Sequence, residues 1–176
     1  ILLIEIPPSE VERLQTMPSI IAGFNHPDVK SLYMLPPVKY PDGKTYIKLG
    51  SSGAEAELLP AKEHSLDAVN NDEQLLEWFH TDGRDDVAEI LKAAVHRMIP
   101  DLQALSYHSV PCLITDTAHG NPYIDVLDEG HLYVTTGGNG SSAKSSDEIG
   151  RMGAMLAATD TWQSELNRDD FRAVYL

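Results

Sequence analysis

"GGNGSSAKSSDEIGRMGAML", residues 137–156, is the stretch on which the choice of fold turns. Gly138-Asn139-Gly140-Ser141-Ser142-Ala143 matches the G-x-G-x-x-A form of the dinucleotide fingerprint, and it follows a strand-like run and precedes a helix-like one. Two features argue against a coenzyme fold. Ser145 with Glu148 three residues on reads as a capping box, which places the helix start after the glycines and not among them. The acidic residue expected at the tip of a second strand roughly 20 residues on is also missing, because Asp160 falls inside a helix expected from about Ser146 to Leu166.

Working outward, "HLYVTTG" (131–137) and "PYIDVL" (122–127) read as the arms of a hairpin turning at Asp128-Glu129-Gly130. "QALSYHSVPCLIT" (103–115) reads as a further β segment. In "DDVAEILKAAVHRMIP" (85–100), Val87, Ile90, Leu91, Ala94 and Met98 make one helical stripe, with acids at its start and Pro100 as its stop. A shorter helix, Asp72 to His80, is expected to turn Leu75, Leu76 and Phe79 to the core. Ser51 to Asn70 reads as a polar surface loop.

Nearer the start, "SLYMLPPVKYPDGKTYIKLG" (31–50) reads as a hairpin turning at Pro41-Asp42-Gly43. In its second arm Tyr46, Lys48 and Gly50 share one face, while Ile47 and Leu49 take the other. "ILLIEI" (1–6) and "SIIAGF" (19–24) are two more strands. Strands and helices come in runs and do not alternate, so the expected class is α+β, mostly an antiparallel sheet with flanking helices.

The bulk numbers set the partners. With 27 acidic against 13 basic side chains and a formal charge of -14, nucleic acid and anionic membrane are not expected. No apolar run reaches the roughly 20 residues that cross a bilayer, and residues 1–6 lack the basic flank of a signal peptide. The single cysteine, Cys112, forms no internal disulfide and fits a reducing compartment, so the expected location is cytoplasmic. The chain starts without Met in a strand already under way, and a fragment is the expectation. Exposed amides, a helix N-terminus and the Lys144 ammonium converge at the glycine turn, a positive pole suited to something anionic. Most such turns, however, bind nothing.

"VPCLITDT" followed by "YIDV" and then by "YVTTGGNGSSAKSSDEIGRMGAML" resembles the C-terminal half of the FAD-dependent amine and amino-acid oxidases of the sarcosine oxidase and D-amino acid oxidase type. "YMLPPVKYPDGKTYIKLG" is similar to that family's substrate-domain hairpin, and the likeness runs over nearly all of the chain. It implies a substrate-domain sheet with helices over residues 1–106. It also implies a C-terminal part, residues 107–176, holding the strand, loop and last helix of a flavin-binding domain, with the nucleotide-binding segment absent.

The implied activity is oxidation of a small-molecule secondary amine or amino acid, with hydride passing from the carbon beside nitrogen to flavin N5. The implied cofactor is FAD, whose pyrimidine end the glycine turn would hold through Gly137, Gly138, Asn139, Gly140 and Ser142, with Thr115 beside it. The isolated 176 residues are expected to retain no FAD, for want of the remaining contacts.

The same likeness assigns candidate roles. Lys48 matches the lysine near flavin N5 that assists reaction with oxygen, where a cation would stabilise superoxide; an ordinary edge-strand lysine is the alternative. Lys144 matches a lysine near the substrate carboxylate and flavin, against a solvated lysine before a helix. Ser141 stands where some members have a substrate-binding histidine, a departure that leaves the substrate open. Cys112 matches the cysteine that tethers FAD in some members, and is otherwise a small buried hydrophobe. Tyr33 and Tyr46 could wall a substrate pocket or simply pack.

The family's threonine-proline-aspartate turn is replaced by Thr117-Ala118-His119. No metal is expected, since His119, Asp116 and Asp125 lack ligand spacing. The rival reading is a small acidic binding or scaffold domain whose glycine turn is structural. Oligomeric state is not legible.

Overall fold

In a computed structural model of the chain, residues 1–23, 26, 29–53, 71–128 and 132–175 are described, with backbone alone at 30, 52, 53 and 128. Phe24 at the end of the second expected strand, most of the polar stretch up to Asn70, and the turn residues Glu129 and Gly130 lie outside them. The fold is α+β, with a five-stranded antiparallel sheet and a separate two-stranded one. The chain divides into two compact units, Ile1–Cys112 and Leu113–Leu176.

The first unit holds strands β1 (Leu2–Glu5), β2 (Ile20–Gly23), β3 (Val29–Lys39), β4 (Thr45–Gly53) and β5 (Ser106–Ser109), ordered β2-β3-β4-β1-β5. Helix α1 (Pro8–Arg13) follows β1, and helices α2 (Asp72–Phe79) and α3 (Asp85–Met98) precede β5. Pairing of Leu2 with Leu49, Leu49 with Met34 and Met34 with Ile20 puts one apolar row on a single face. That face packs against Leu91, Ala94 and Val95 of α3, as the 3.6-residue stripe requires. At the start of α3 the Asp86 carboxyl is lowered to about 2, first by the Arg84 side chain and then by the Val87 amide.

After β1, Pro8 opens α1, since proline is well placed in a first helical turn. The buried Glu10 there accepts from Arg13 Nε at 3.0 Å. Two expectations for this unit need correction. Leu76 and Phe79 of α2 do not turn to the core: they are 59% and 53% exposed, and Leu75 is partly buried. The β segment expected at 103–115 is a strand only over Ser106–Ser109, because Pro111 has no amide hydrogen to offer a ladder.

The second unit is a hairpin, β6 (Tyr123–Asp128) with β7 (Leu132–Thr136), covered by α4 (Ser146–Thr159). Ile124, Met152 and Leu156 form its buried centre, with Ile149, Trp162 and Phe171 packed round it. A 3-10 turn, Ser142–Ser145, leads into α4. The capping box is not made: Ser145 Oγ donates to Ser142 O at 3.4 Å, and both Glu148 oxygens accept from Arg151. Nor does α4 reach Leu166. It ends at Thr159, where Asp160 takes φ 52 as its cap. After it comes only a 3-10 turn, Arg168–Phe171, so no second strand carries a ribose-binding acid among the described residues. No described helix is long and apolar enough to cross a membrane.

Candidate functional site

On the sheet face turned away from α3, the register sets Tyr33 opposite Gly50, Leu35 opposite Lys48, and Lys48 opposite Leu3. Strand alternation puts Tyr46, Lys48 and Gly50 on one face, as expected, and the register adds Tyr33 to it. Gly50 is required there: a Cβ on it would lie 2.3 Å from the Tyr33 ring. Lys48 Nζ sits 5.8 Å from the centre of that ring, a weak cation–π contact. Burial pushes the Tyr33 phenol up, with a smaller contribution from Cys112.

Tyr46 has a different job. It is 5% exposed, and its hydroxyl donates to Asp42 Oδ2 at 2.7 Å. Asp42 Oδ1 also accepts from the Lys44 amide, so this tyrosine pins the hairpin turn. Its ring meets Tyr40 edge-on at 5.1 Å and His108 at 6.2 Å. Of the two tyrosines, Tyr46 is buried and Tyr33 is half-buried beside Lys48.

Beside Lys48 lies a cluster that the sequence reading missed. Ser106 Oγ donates to Glu5 Oε2 at 2.7 Å, His108 Nε2 lies 2.8 Å from the same Oγ, and Lys44 Nζ bonds Glu5 Oε2 at 2.8 Å. Alternation along β5 could have shown that Ser106 and His108 share a face. The partnership with Glu5 could not be seen, since it spans 101 residues.

In the second unit the glycine turn is shaped by three left-handed residues, Gly137 at φ 78, Asn139 at φ 48 and Gly140 at φ 65. Asn139 fastens the turn to the preceding segment. Its amide donates to Thr115 O at 3.0 Å, and its Oδ1 accepts from Thr117 N at 2.8 Å. Gly137 is closed over by Thr117, whose Cγ2 would lie 2.2 Å from an added Cβ. Ser142 Oγ returns to Gly138 O at 2.8 Å, and the Ser141 amide donates to the same oxygen. Asn139 and Ser142 thus hold the loop's shape, while Gly140, Ser141 and Lys144 are exposed. Lys144 has no hydrogen bond or ion pair among the described residues.

Lys48 and Cys112 stand in the first unit; Thr115, Ser141 and Lys144 stand in the second. Cys112 is exposed and lies outside a strand, so it is not a small buried hydrophobe. Its carbonyl accepts from Trp78 Nε1 at 3.2 Å. His119 is engaged on both ring nitrogens: Nδ1 accepts from Asn121 N and Nε2 donates to Arg172 O at 2.9 Å. Asp125 is held by Arg168 and by the Ala173 amide. A shallow hollow of about 500 Å³ between Arg151 and Leu166 is lined by Glu148 and Glu165, and Arg151 is already paired there with Glu148. No family model, curated protein or solved structure matches this chain.

Proposed function

We propose that the chain is the C-terminal part of an FAD-dependent oxidoreductase that oxidises a secondary amine or amino acid. What carries this reading is the order of one short region: hairpin, a glycine turn with three left-handed residues, a 3-10 turn, then α4 with an exposed Lys144, unpaired among the described residues, just before it. The resemblance runs through the same residues in the same order. The donor set suits an anionic edge of a cofactor in kind, because an ammonium and a helix N-terminus lie together in a strongly acidic protein.

FAD, when bound, supplies the acceptor for a hydride taken from the carbon beside nitrogen. Within the chain, Gly138 and Gly140 would let the backbone come close, while Gly137, closed over by Thr117, and Asn139 would keep the turn rigid from behind. Lys144 would set a positive charge beside the cofactor's anionic edge. Lys48, over the Tyr33 ring, would be the cation that assists the reaction with oxygen.

Kinetics of the full-length product test these roles. Lys48→Met is expected to lower kcat/KM for oxygen by about 10²-fold, the scale for one electrostatic stabiliser, and to leave amine binding intact. Lys144→Ala is expected to raise KM for the amine substrate. Unchanged oxygen kinetics in Lys48→Met would contradict its role.

One observation favours a second reading, an acidic binding domain with a purely structural turn. The Asn139 carboxamide and the hydroxyls of Ser142, Ser145 and Ser146 all bond within the loop and its neighbour. A full-length product free of flavin favours that reading over the enzyme.

A further inference from the structure

We propose that His108 is the proton acceptor for the substrate's ammonium group, on the same sheet face as Lys48 and supported by Glu5 through Ser106; this rests on the amine-oxidising reading above. Hydride can leave the carbon beside nitrogen only when that nitrogen has a lone pair to give. An aliphatic amine near neutral pH is protonated, as the reference value of about 10.4 for a lysine amine indicates, so one proton must go first. Lys48 is cationic and cannot take it.

The hydrogen bonds fix where the His108 lone pair lies. The Glu5 carboxyl is held below its ordinary range by Lys44 first and by Ser106 second, so it is a carboxylate and only accepts. Ser106 has one hydroxyl hydrogen, and it goes to Glu5 at 2.7 Å. The 2.8 Å contact between Ser106 Oγ and His108 Nε2 must therefore be Nε2–H donating to oxygen. That leaves the lone pair on Nδ1. Nδ1 makes no hydrogen bond among the described residues, and His108 is exposed.

The register supplies the setting. Leu3 stands opposite Lys48 on one side and His108 on the other, so the two are two strand spacings apart, about 10 Å at roughly 4.8 Å each. Leu3 makes an apolar floor between them for a carbon skeleton. The charged and titratable groups round His108 on this face are Glu5, Lys44, Tyr46 and Lys48, with Asp42 and Tyr40 at the hairpin turn and the Ile1 ammonium at Val110. When the ammonium gives its proton to Nδ1, the nitrogen keeps both electrons of the broken N–H bond. The ring becomes imidazolium, and its charge is stabilised by the Glu5 carboxylate through Ser106, much as a base is oriented by a third group in other sites.

Two measurements test this. In the chain labelled with ¹⁵N-histidine, long-range nitrogen spectra should show the neutral His108 ring protonated on Nε2, and Ser106→Ala should remove that preference by removing the acceptor of the Nε2–H. A ring protonated on Nδ1, or a tautomer unchanged in Ser106→Ala, overturns the proposal without touching the flavin reading.

The full-length product, mixed anaerobically with a panel of secondary amines and amino acids, gives the second readout. His108→Gln should slow flavin bleaching about 10²-fold, within the usual range for general bases. Ser106→Ala should slow it by a smaller factor, since the base remains but its orientation is lost. Bleaching that is equally fast in His108→Gln removes the base and leaves the amine reading standing. A product without flavin, or one that no panel member bleaches, removes both.

Discussion

The carboxamide of Asn139 accepts the backbone amide of Thr117 at 2.8 Å while the Asn139 amide donates to Thr115 at 3.0 Å, two bonds that tie the glycine turn to the segment before β6. Asn139 does this from φ 48, a conformation open to asparagine and glycine but strained for most side chains. Asn139→Ala should therefore destabilise the second unit by about 2–3 kcal/mol, combining strain with lost bonds. Asn139→Gly should restore part of it by removing the strain alone. Urea unfolding read through Trp162, in a chain carrying Trp78→Phe, measures both. Equal losses in the two variants would show that strain plays no part.

Gly150 and Gly153 lie one turn apart in α4 and should respond in opposite ways. A Cβ on Gly153 would meet Thr135 Oγ1 at 2.2 Å, with the Thr135 Cβ at 3.3 Å, whereas nothing among the described residues lies within 4 Å of one on Gly150. Gly150→Ala should stabilise the unit by about 1 kcal/mol through helix propensity. Gly153→Ala should cost about 1–3 kcal/mol through overpacking of α4 on β7. The same Trp162 unfolding curve reads both signs, and a stabilising Gly153→Ala would contradict the close approach.

In the first unit, Gly50→Ala should force the Tyr33 ring out of place, since the added carbon would lie 2.3 Å from it. Expected is a loss of about 1–3 kcal/mol, largely relieved in Gly50→Ala with Tyr33→Ala because the three nearest atoms all belong to the Tyr33 side chain. Strict additivity in that double-mutant cycle would contradict the packing described.

Acid stability follows from Asp86. Its folded value of about 2, set first by Arg84 and then by the Val87 amide, lies below the unfolded reference near 3.9. A depressed carboxyl contributes stability that is present above the unfolded value and lost as pH falls through the folded one, so the loss falls between about pH 4 and about pH 2. Glu5, lowered by Lys44 and Ser106, adds a term of the same sign. Asp86→Asn should flatten the acid slope of the urea midpoint read through Trp78 in a Trp162→Phe chain. A slope equal to the parent's would show that the Arg84 pairing is absent in solution.

What was legible in the sequence follows physical range. The α3 stripe and the 41–43 turn are set by local periodicity and turn chemistry, and both stand where the sequence puts them. The sharing of a face by Tyr46, Lys48 and Gly50 needs only strand alternation. The failures need information from outside a short window. Leu76 and Phe79 have helical spacing, yet nothing in the sequence says which neighbour covers them. Ser145 and Glu148 have capping-box spacing, but a 3-10 turn gives Ser145 a nearer partner and Arg151 takes Glu148. Glu5, Ser106 and His108 meet only through sheet register, which no local signal encodes.

The most direct test is the absorption spectrum of the full-length product before and after acid precipitation. A flavin band before precipitation is the predicted result, and its partition afterwards reports the Cys112 tether: colour in the pellet means a covalent bond, colour in the supernatant means none. A colourless protein that takes up no added FAD would contradict the oxidoreductase reading outright.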